Sequence, residues 1–311
     1  IALVTVVTYG INSAGGFAAV MDNARALPGY LSLNNTFDAA NNASNSFSFI
    51  SIVSTLAWGI GYFGMPHILV RFMAIEDEKK LTFSRRIASV WVVIAMTVGI
   101  FIGVVGLAMT KAGSLENLAD SETVIVRITG LISRHGVIAA LIAGVILAGI
   151  LAATMSTSDS QLLTAASGVS QNILHDFFHI EMDEKKSLLT ARLTIVAIAV
   201  VAVFMARNPN SSVFGIVSFA WAGFGAAFGA VMLCALFWKR STLAGAISGM
   251  VAGGVMVFVW KYLVRPLGGA FDIYELLPAF LVSLVVIVVV SFLTQKPSEE
   301  VLAEFDKAAE K

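Results

Sequence analysis

The sequence predicts an all-α protein, a polytopic membrane helix bundle with about eight transmembrane helices. Hydrophobic residues make up 58% of the chain and charged residues 13%, against roughly 25% charged in an ordinary soluble domain. Mean hydropathy is +0.86. The apolar residues also gather into runs of about the 20 residues needed to cross a hydrocarbon core. Those runs fall near 1–20, 48–73, 86–110, 136–168, 189–206, 211–238, 241–263 and 274–294.

Between the runs lie an Asn- and Ser-rich connection at 21–47, charged connections at 74–85 and 169–188, and a mixed one at 111–135. Tight turns are expected at Asn208–Pro209, Lys239–Arg240 and Arg265–Pro266, and a polar tail begins at Gln295. Lys plus Arg and Asp plus Glu are 20 each, so no basic excess points to nucleic acid and no acidic excess to a disordered tail. Placement of charge is more informative than its sum. With connections assigned alternately to the two sides, 13 of the 20 Lys and Arg fall on one side and 7 on the other. Cytoplasmic loops carry the excess, which places the C-terminus in the cytoplasm. Cys234 is the single cysteine and reads as a packing residue, since it has no intrachain partner. The chain opens inside an apolar run without a basic leader. That predicts no signal peptide and the C-terminal part of a longer protein.

The second run holds A-W-G-I-G-Y-F-G-M-P-H from Ala57 to His67, with Gly59, Gly61, Gly64 and Pro66 within eight residues. A broken helix at membrane depth is tolerated where the freed backbone groups are buried in protein or line a water-filled cavity. The stretch is therefore a candidate solute site. Trp58, Tyr62 and Pro66 recur every four residues, so helical turns flanking the break put them on roughly one face. A Gly/Pro kink with aromatic packing explains the same residues.

In the fourth run, G-I-L-A-A-T-M-S-T-S-D-S-Q-L-L-T places Ala153, Ser156, Thr157, Ser160 and Thr164 along one helical stripe. Hydroxyls and carbonyls suit a hard cation such as Na⁺, and equally suit hydrogen bonding between packed helices. Asp159 is the acidic residue lying well inside an apolar run, which makes it an ion ligand, a proton carrier or half of an ion pair.

Other features read as structural. His67 suits a hydrogen-bonding role near the break. His175 and His179 have helical ligand spacing, but Asp176 and Glu181 beside them lie in a charged loop with no third ligand in register, so a metal site is not expected. The glycines from Gly223 to Gly229 lack the spacing and the βαβ setting of a nucleotide fingerprint. Like Gly245, Gly249 and Gly253, they suit close helix packing.

Three blocks, W-G-I-G-Y-F-G-M-P-H-I-L-V-R-F-M-A, A-A-T-M-S-T-S-D-S-Q-L-L and V-S-F-A-W-A-G-F-G-A-A-F-G, resemble the solute:sodium symporter family in order and spacing. The resemblance implies a leucine-transporter-like fold of two inverted five-helix repeats, with solute and ions bound near mid-membrane at discontinuous helices. On it, 1–20 is the last helix of the first repeat and 21–47 an extracytoplasmic loop. Residues 48–238 are the second repeat, 239–294 two additional helices and 295–311 a cytoplasmic tail. It implies solute contacts at Trp58, Tyr62 and Pro66, and a Na⁺ site from the Ala153 carbonyl with the Ser156 and Thr157 hydroxyls. Asp159, Gly59, Gly61 and Gly64 are secondary candidates. Met65 and Asp159 depart from the family's proline-transporting member, which carries Gln where Met65 stands. The broken helix of the first repeat, which completes both sites in the family, is expected upstream of Ile1.

The expected activity is Na⁺-coupled symport of a small amino acid, L-proline foremost, by a secondary transporter rather than an enzyme. Na⁺, the solute and the lipid bilayer of the plasma (inner) membrane are the expected partners, with no nucleic acid and no obligate protein partner. The alternatives are another solute, such as pantothenate or another amino acid, and the membrane input module of a signalling receptor. The 17-residue tail from Gln295 is too short to be a kinase.

Overall fold

A computed structural model describes residues 2–207 and 212–309. Six of its helices are long and apolar enough to cross a membrane, and eight spans result if each of two bent helix pairs counts as one. The protein is an integral membrane helix bundle, as the hydropathy predicts. In order, α1 is Ala2–Ser13, α2 Phe17–Arg25, α3 Phe49–Gly64, α4 Pro66–Met73, α5 Lys80–Lys111, α6 Val124–Ile132 and α7 Val137–Phe177. Then follow α8 Glu184–Ala206, α9 Val213–Phe237, α10 Leu243–Leu267, α11 Leu276–Leu293 and α12 Glu299–Ala309. The expected turn at Asn208–Pro209 lies outside the described residues.

The two bent pairs have different causes. α3 and α4 meet at 52° because Pro66 opens α4 at its first position, where its missing N–H costs nothing. The residue before a proline is driven out of the helical region, and Met65 is extended at φ −85°, ψ 109°. This break is the one the sequence predicts. The first run was expected as one helix over 1–20, but it is bent by 80° between α1 and α2. Gly15 and Gly16 turn the chain there at φ +95° and +104°, a region that glycine enters without steric cost. α2 then runs on to Arg25, inside the expected loop.

Three polar connections hold more structure than expected. An antiparallel hairpin of β1 Asn35–Asp38 and β2 Ala43–Ser46 pairs Asn35 with Ser46 and Asp38 with Ala43. α6 occupies the connection at 111–135. The tail forms α12, whose Asp306 pairs with Lys239. α7 also runs past its expected end, continuing as a π-helix over Gly168–Phe177.

The chain divides into two compact units, 1–47 with 75–162, and 48–74 with 163–311. In the first, Val6, Val20, Ile102, Val105, Met109, Ile128 and Ile146 belong to one buried cluster. Gly10 lets α1 close on Val105 and Met109 of α5. In the second, Ala57, Ala222, Ala226, Leu276, Phe280 and Ile287 are among the residues of its core. Lipid removes the hydrophobic drive between helices, leaving close packing and hydrogen bonds to hold them. α10 and α11 use both. Gly245, Gly249 and Gly253 lie against Ser291, Ile287 and Ser283, and Ser283 Oγ donates to the Gly249 carbonyl at 2.8 Å. The packing reading of these glycines, and of buried Cys234, holds.

Candidate functional site

The break at Pro66 sits beside an aromatic cluster within the second unit. Trp58, half-buried on α3, is stacked with Phe214 at 5.3 Å, Trp221 at 5.8 Å and Tyr274 at 5.7 Å between ring centroids. Tyr62, one turn on, meets Trp221 edge-on at 4.7 Å and keeps 54% of its surface exposed. Pro66 is half-buried and Met65 only 4% exposed. Trp58 and Tyr62 thus converge on Trp221, while Pro66 sets the bend.

Close approach of α3 to α9 makes this possible. Gly225–Gly229 form a π-helical turn in α9, a feature that often marks functional sites. A side chain at Gly64 would strike the Phe224 carbonyl and Gly225, one at Gly225 would strike Gly61 and Leu276, and one at Gly61 would strike the Trp221 indole. Gly61 and Gly64 are therefore contact surfaces, whereas a Cβ at Gly59 meets nothing within 4 Å. The glycine run on α9 is the close-packing element its composition suggests.

Backbone and side-chain hydrogen bonds fix the cluster. Trp221 Nε1 donates to the Trp58 carbonyl at 3.1 Å, and Tyr274 Oη donates to the Ser218 carbonyl at 2.6 Å. Trp221, Phe214 and Tyr274 escaped the sequence reading. A signal was present for Trp221 and Tyr274, whose indole N–H and phenol O–H need acceptors when taken out of water, and none for Phe214.

In the first unit, Ala153, Ser156 and Thr157 follow one another on the α-helical part of α7. Thr157 Oγ1 donates to the Ala153 carbonyl at 3.3 Å and Ser160 Oγ to the Ser156 carbonyl at 3.0 Å. The hydroxyl stripe is therefore real in its periodicity. Ala153, Ser156, Thr157 and Asp159 are all exposed along the helix. The paired histidines do not share a helical face. His175 Nδ1 lies 2.8 Å from Asp176 Oδ1, and His179 leaves the helix at φ 53°.

A buried acid also escaped notice. Glu275 is 1% exposed at the start of α11, with Arg265 Nη1 at 2.9 Å and Lys261 Nζ at 3.7 Å.

A family model described as the sodium:solute symporter family matches residues 1–253. A sodium/proline symporter of Staphylococcus aureus is 39% identical over 276 residues, covering 86% of this chain and 52% of its own length. Proteins of the same description from the Newman and COL strains match to the same extent. The chain spans about half the length of the curated relatives it matches.

Proposed function

The chain belongs to the sodium:solute symporter family, and we propose that it carries the solute- and Na⁺-binding helices of a Na⁺-coupled amino-acid symporter, with L-proline as solute. The observation that carries this reading is the aromatic cluster on a proline-broken membrane helix in a chain 39% identical to sodium/proline symporters. Flat rings give apolar contact to a small cyclic solute, and a broken span is where backbone groups at membrane depth are freed for burial in protein or for lining a cavity. Trp58 and Tyr62 are assigned to the solute, and Pro66 to the bend that presents them.

Na⁺ is assigned to the Ala153 carbonyl and the Ser156 and Thr157 hydroxyls. Hard cations take oxygens at about 2.4 Å, as calcium does. Two oxygens 3.3 Å apart, like those of Ala153 and Thr157, subtend roughly 90° at such an ion, a spacing that suits adjacent ligands. Asp159, three residues past Ser156 and two past Thr157 on the same helix, adds negative potential that draws the cation. Coupling follows from linkage: an ion that favours one arrangement of these helices raises solute affinity by the factor that solute raises ion affinity.

We assign residues 1–20 to the end of the first repeat, 48–238 to the second and 239–294 to two further helices, with the tail in the cytoplasm where most Lys and Arg fall. Radiolabelled L-proline uptake into membrane vesicles holding a full-length transporter that carries this chain, with an inward Na⁺ gradient and without it at clamped pH, tests the function. Accumulation that requires Na⁺ is expected. Accumulation undiminished in its absence would remove Na⁺ coupling.

A further inference from the structure

The connection from α10 to α11 is pinned at four successive residues. Asp272 accepts from Arg265 Nε at 2.9 Å, and the Ile273 carbonyl accepts from Trp260 Nε1 at 3.2 Å. Tyr274 donates its N–H to Ser54 Oγ at 2.9 Å and its hydroxyl to the Ser218 carbonyl at 2.6 Å. Glu275 takes Arg265 and Lys261 as partners, and Lys261 Nζ in turn lies 3.9 Å over the Phe219 ring. A segment that merely joins two helices needs none of this, because loops at a membrane surface have water to satisfy their polar groups.

The pinned residue that reaches inward is Tyr274. It is 6% exposed, and its ring lies within 14° of parallel to Trp58. Its two hydrogen bonds go to different elements. Ser54 is four residues before Trp58 on α3, and Ser218 is three residues before Trp221 on α9. One residue, by its main chain to α3 and its side chain to α9, therefore ties together the two helices whose tryptophans stack. The Ser218 carbonyl can only accept, so the Tyr274 phenol is the donor of that bond. An intact Glu275 ion pair holds the start of α11 and with it the height of Tyr274.

We infer that Tyr274 is a positioning residue for Trp58, through which the two C-terminal helices set the solute affinity of the site formed around α3. The inference rests on the assignment of Trp58 to the solute. A solute that displaces or tilts the Trp58 indole must work against the Tyr274 ring, which its hydroxyl bond to Ser218 holds in the stack. When Tyr274 is lost, Trp58 gains rotational freedom and the site loses preorganisation.

The test uses a full-length transporter carrying this chain, with half-saturating L-proline and maximal uptake measured separately and corrected for membrane abundance. Tyr274→Leu is expected to raise half-saturating proline roughly 3- to 10-fold with maximal uptake little changed. Tyr274→Phe keeps the ring and loses only the hydroxyl bond, and is expected near 2-fold. The Trp58→Ala and Tyr274→Leu double variant is expected to be no weaker than Trp58→Ala alone. Independent, multiplying effects would overturn the inference while leaving Trp58 in the site. So would a Tyr274→Leu defect confined to abundance or maximal uptake. If Tyr274→Leu does not reach the membrane, Tyr274→Phe decides, and no shift in half-saturating proline overturns it. Unchanged half-saturating proline in Trp58→Ala removes the solute assignment itself, and the inference with it.

Discussion

The indole N–H of Trp221 reaches across 163 residues of sequence to the main-chain carbonyl of Trp58, 3.1 Å away. This bond joins α9 to the helix that breaks at Pro66. In lipid a released carbonyl finds no water to replace a lost donor, so the bond is expected to matter more than its length suggests. Trp221→Phe retains an aromatic ring but removes the donor. It is expected to cost about 1 kcal/mol, measured as a lower Tm of the detergent-solubilised protein, and to weaken proline affinity about 3-fold. An unchanged Tm and affinity would show that the bond does not restrain Trp58.

The glycines of α3 separate cleanly by what a methyl group would meet. Gly61→Ala places a carbon against the Trp221 indole and Gly64→Ala against the Phe224 carbonyl, while Gly59→Ala enters open space. Overpacking of this kind costs about 1–3 kcal/mol. Gly61→Ala and Gly64→Ala should therefore melt earlier in detergent and lose uptake, with Gly59→Ala close to the parent. Equal tolerance at all three positions would mean that α3 and α9 do not pack this closely.

The hairpin carries a pH dependence of determinate sign. Asp38 Oδ2 accepts from Asn41 Nδ2 at 2.8 Å, and Oδ1 from the Ala40 N–H at 3.0 Å. The Asn41 side chain, followed by its backbone N–H, holds the Asp38 carboxyl below the usual carboxylate range. A lowered value in the folded turn means that the carboxylate's contribution is fully present above the ordinary value and is lost as pH falls through the lowered one. Amide exchange at Ala40 and Asn41 should therefore be protected at neutral pH and lose that protection in acid. Asp38→Asn should show the unprotected rate at both. The same protection in the parent and in Asp38→Asn at neutral pH would refute the role of the charge.

What could be read from the sequence was what neighbours in sequence decide. The break at Met65–Pro66 is local stereochemistry, and the hydroxyl stripe on α7 is local periodicity, so both appear where they were expected. The bend at Gly15–Gly16 was hidden because hydropathy averages over glycine, although the positive φ of both residues is what only glycine takes freely. The hairpin was hidden because N-T-F-D and A-S-N-S lack the β-branched alternation that marks strands. Trp58 and Tyr62 were legible as candidates, but the identity of their partners was not. Phe214, Trp221 and Tyr274 come from distant elements, and no spacing rule pairs residues 163 or 216 apart. Glu275 sat at the edge of an apolar run, and only the fold brings Arg265 back to it.

Ala153 and Thr157 bear on the choice of coupling ion, since the carbonyl of one and the hydroxyl of the other lie 3.3 Å apart on the same helical turn. If Na⁺ occupies this pair together with Ser156, Thr157→Ala and Ser156→Ala each remove one oxygen. A hydrogen-bond partner of a charged group is worth about 1.5–3 kcal/mol, so half-saturating Na⁺ should rise roughly 10- to 150-fold, with uptake restored by high Na⁺. Ser156→Thr keeps an oxygen and should be milder. Asp159 is exposed, and an exposed charge at a distance contributes up to about 1 kcal/mol. Asp159→Asn should therefore raise half-saturating Na⁺ less than about 5-fold. Proton coupling predicts the reverse order: Asp159→Asn abolishes accumulation, the hydroxyl variants are nearly silent, and a pH gradient drives uptake without Na⁺. Na⁺ titrations of proline uptake in the four variants at clamped pH separate the two, and silent hydroxyl variants would leave the stripe on α7 as helix packing.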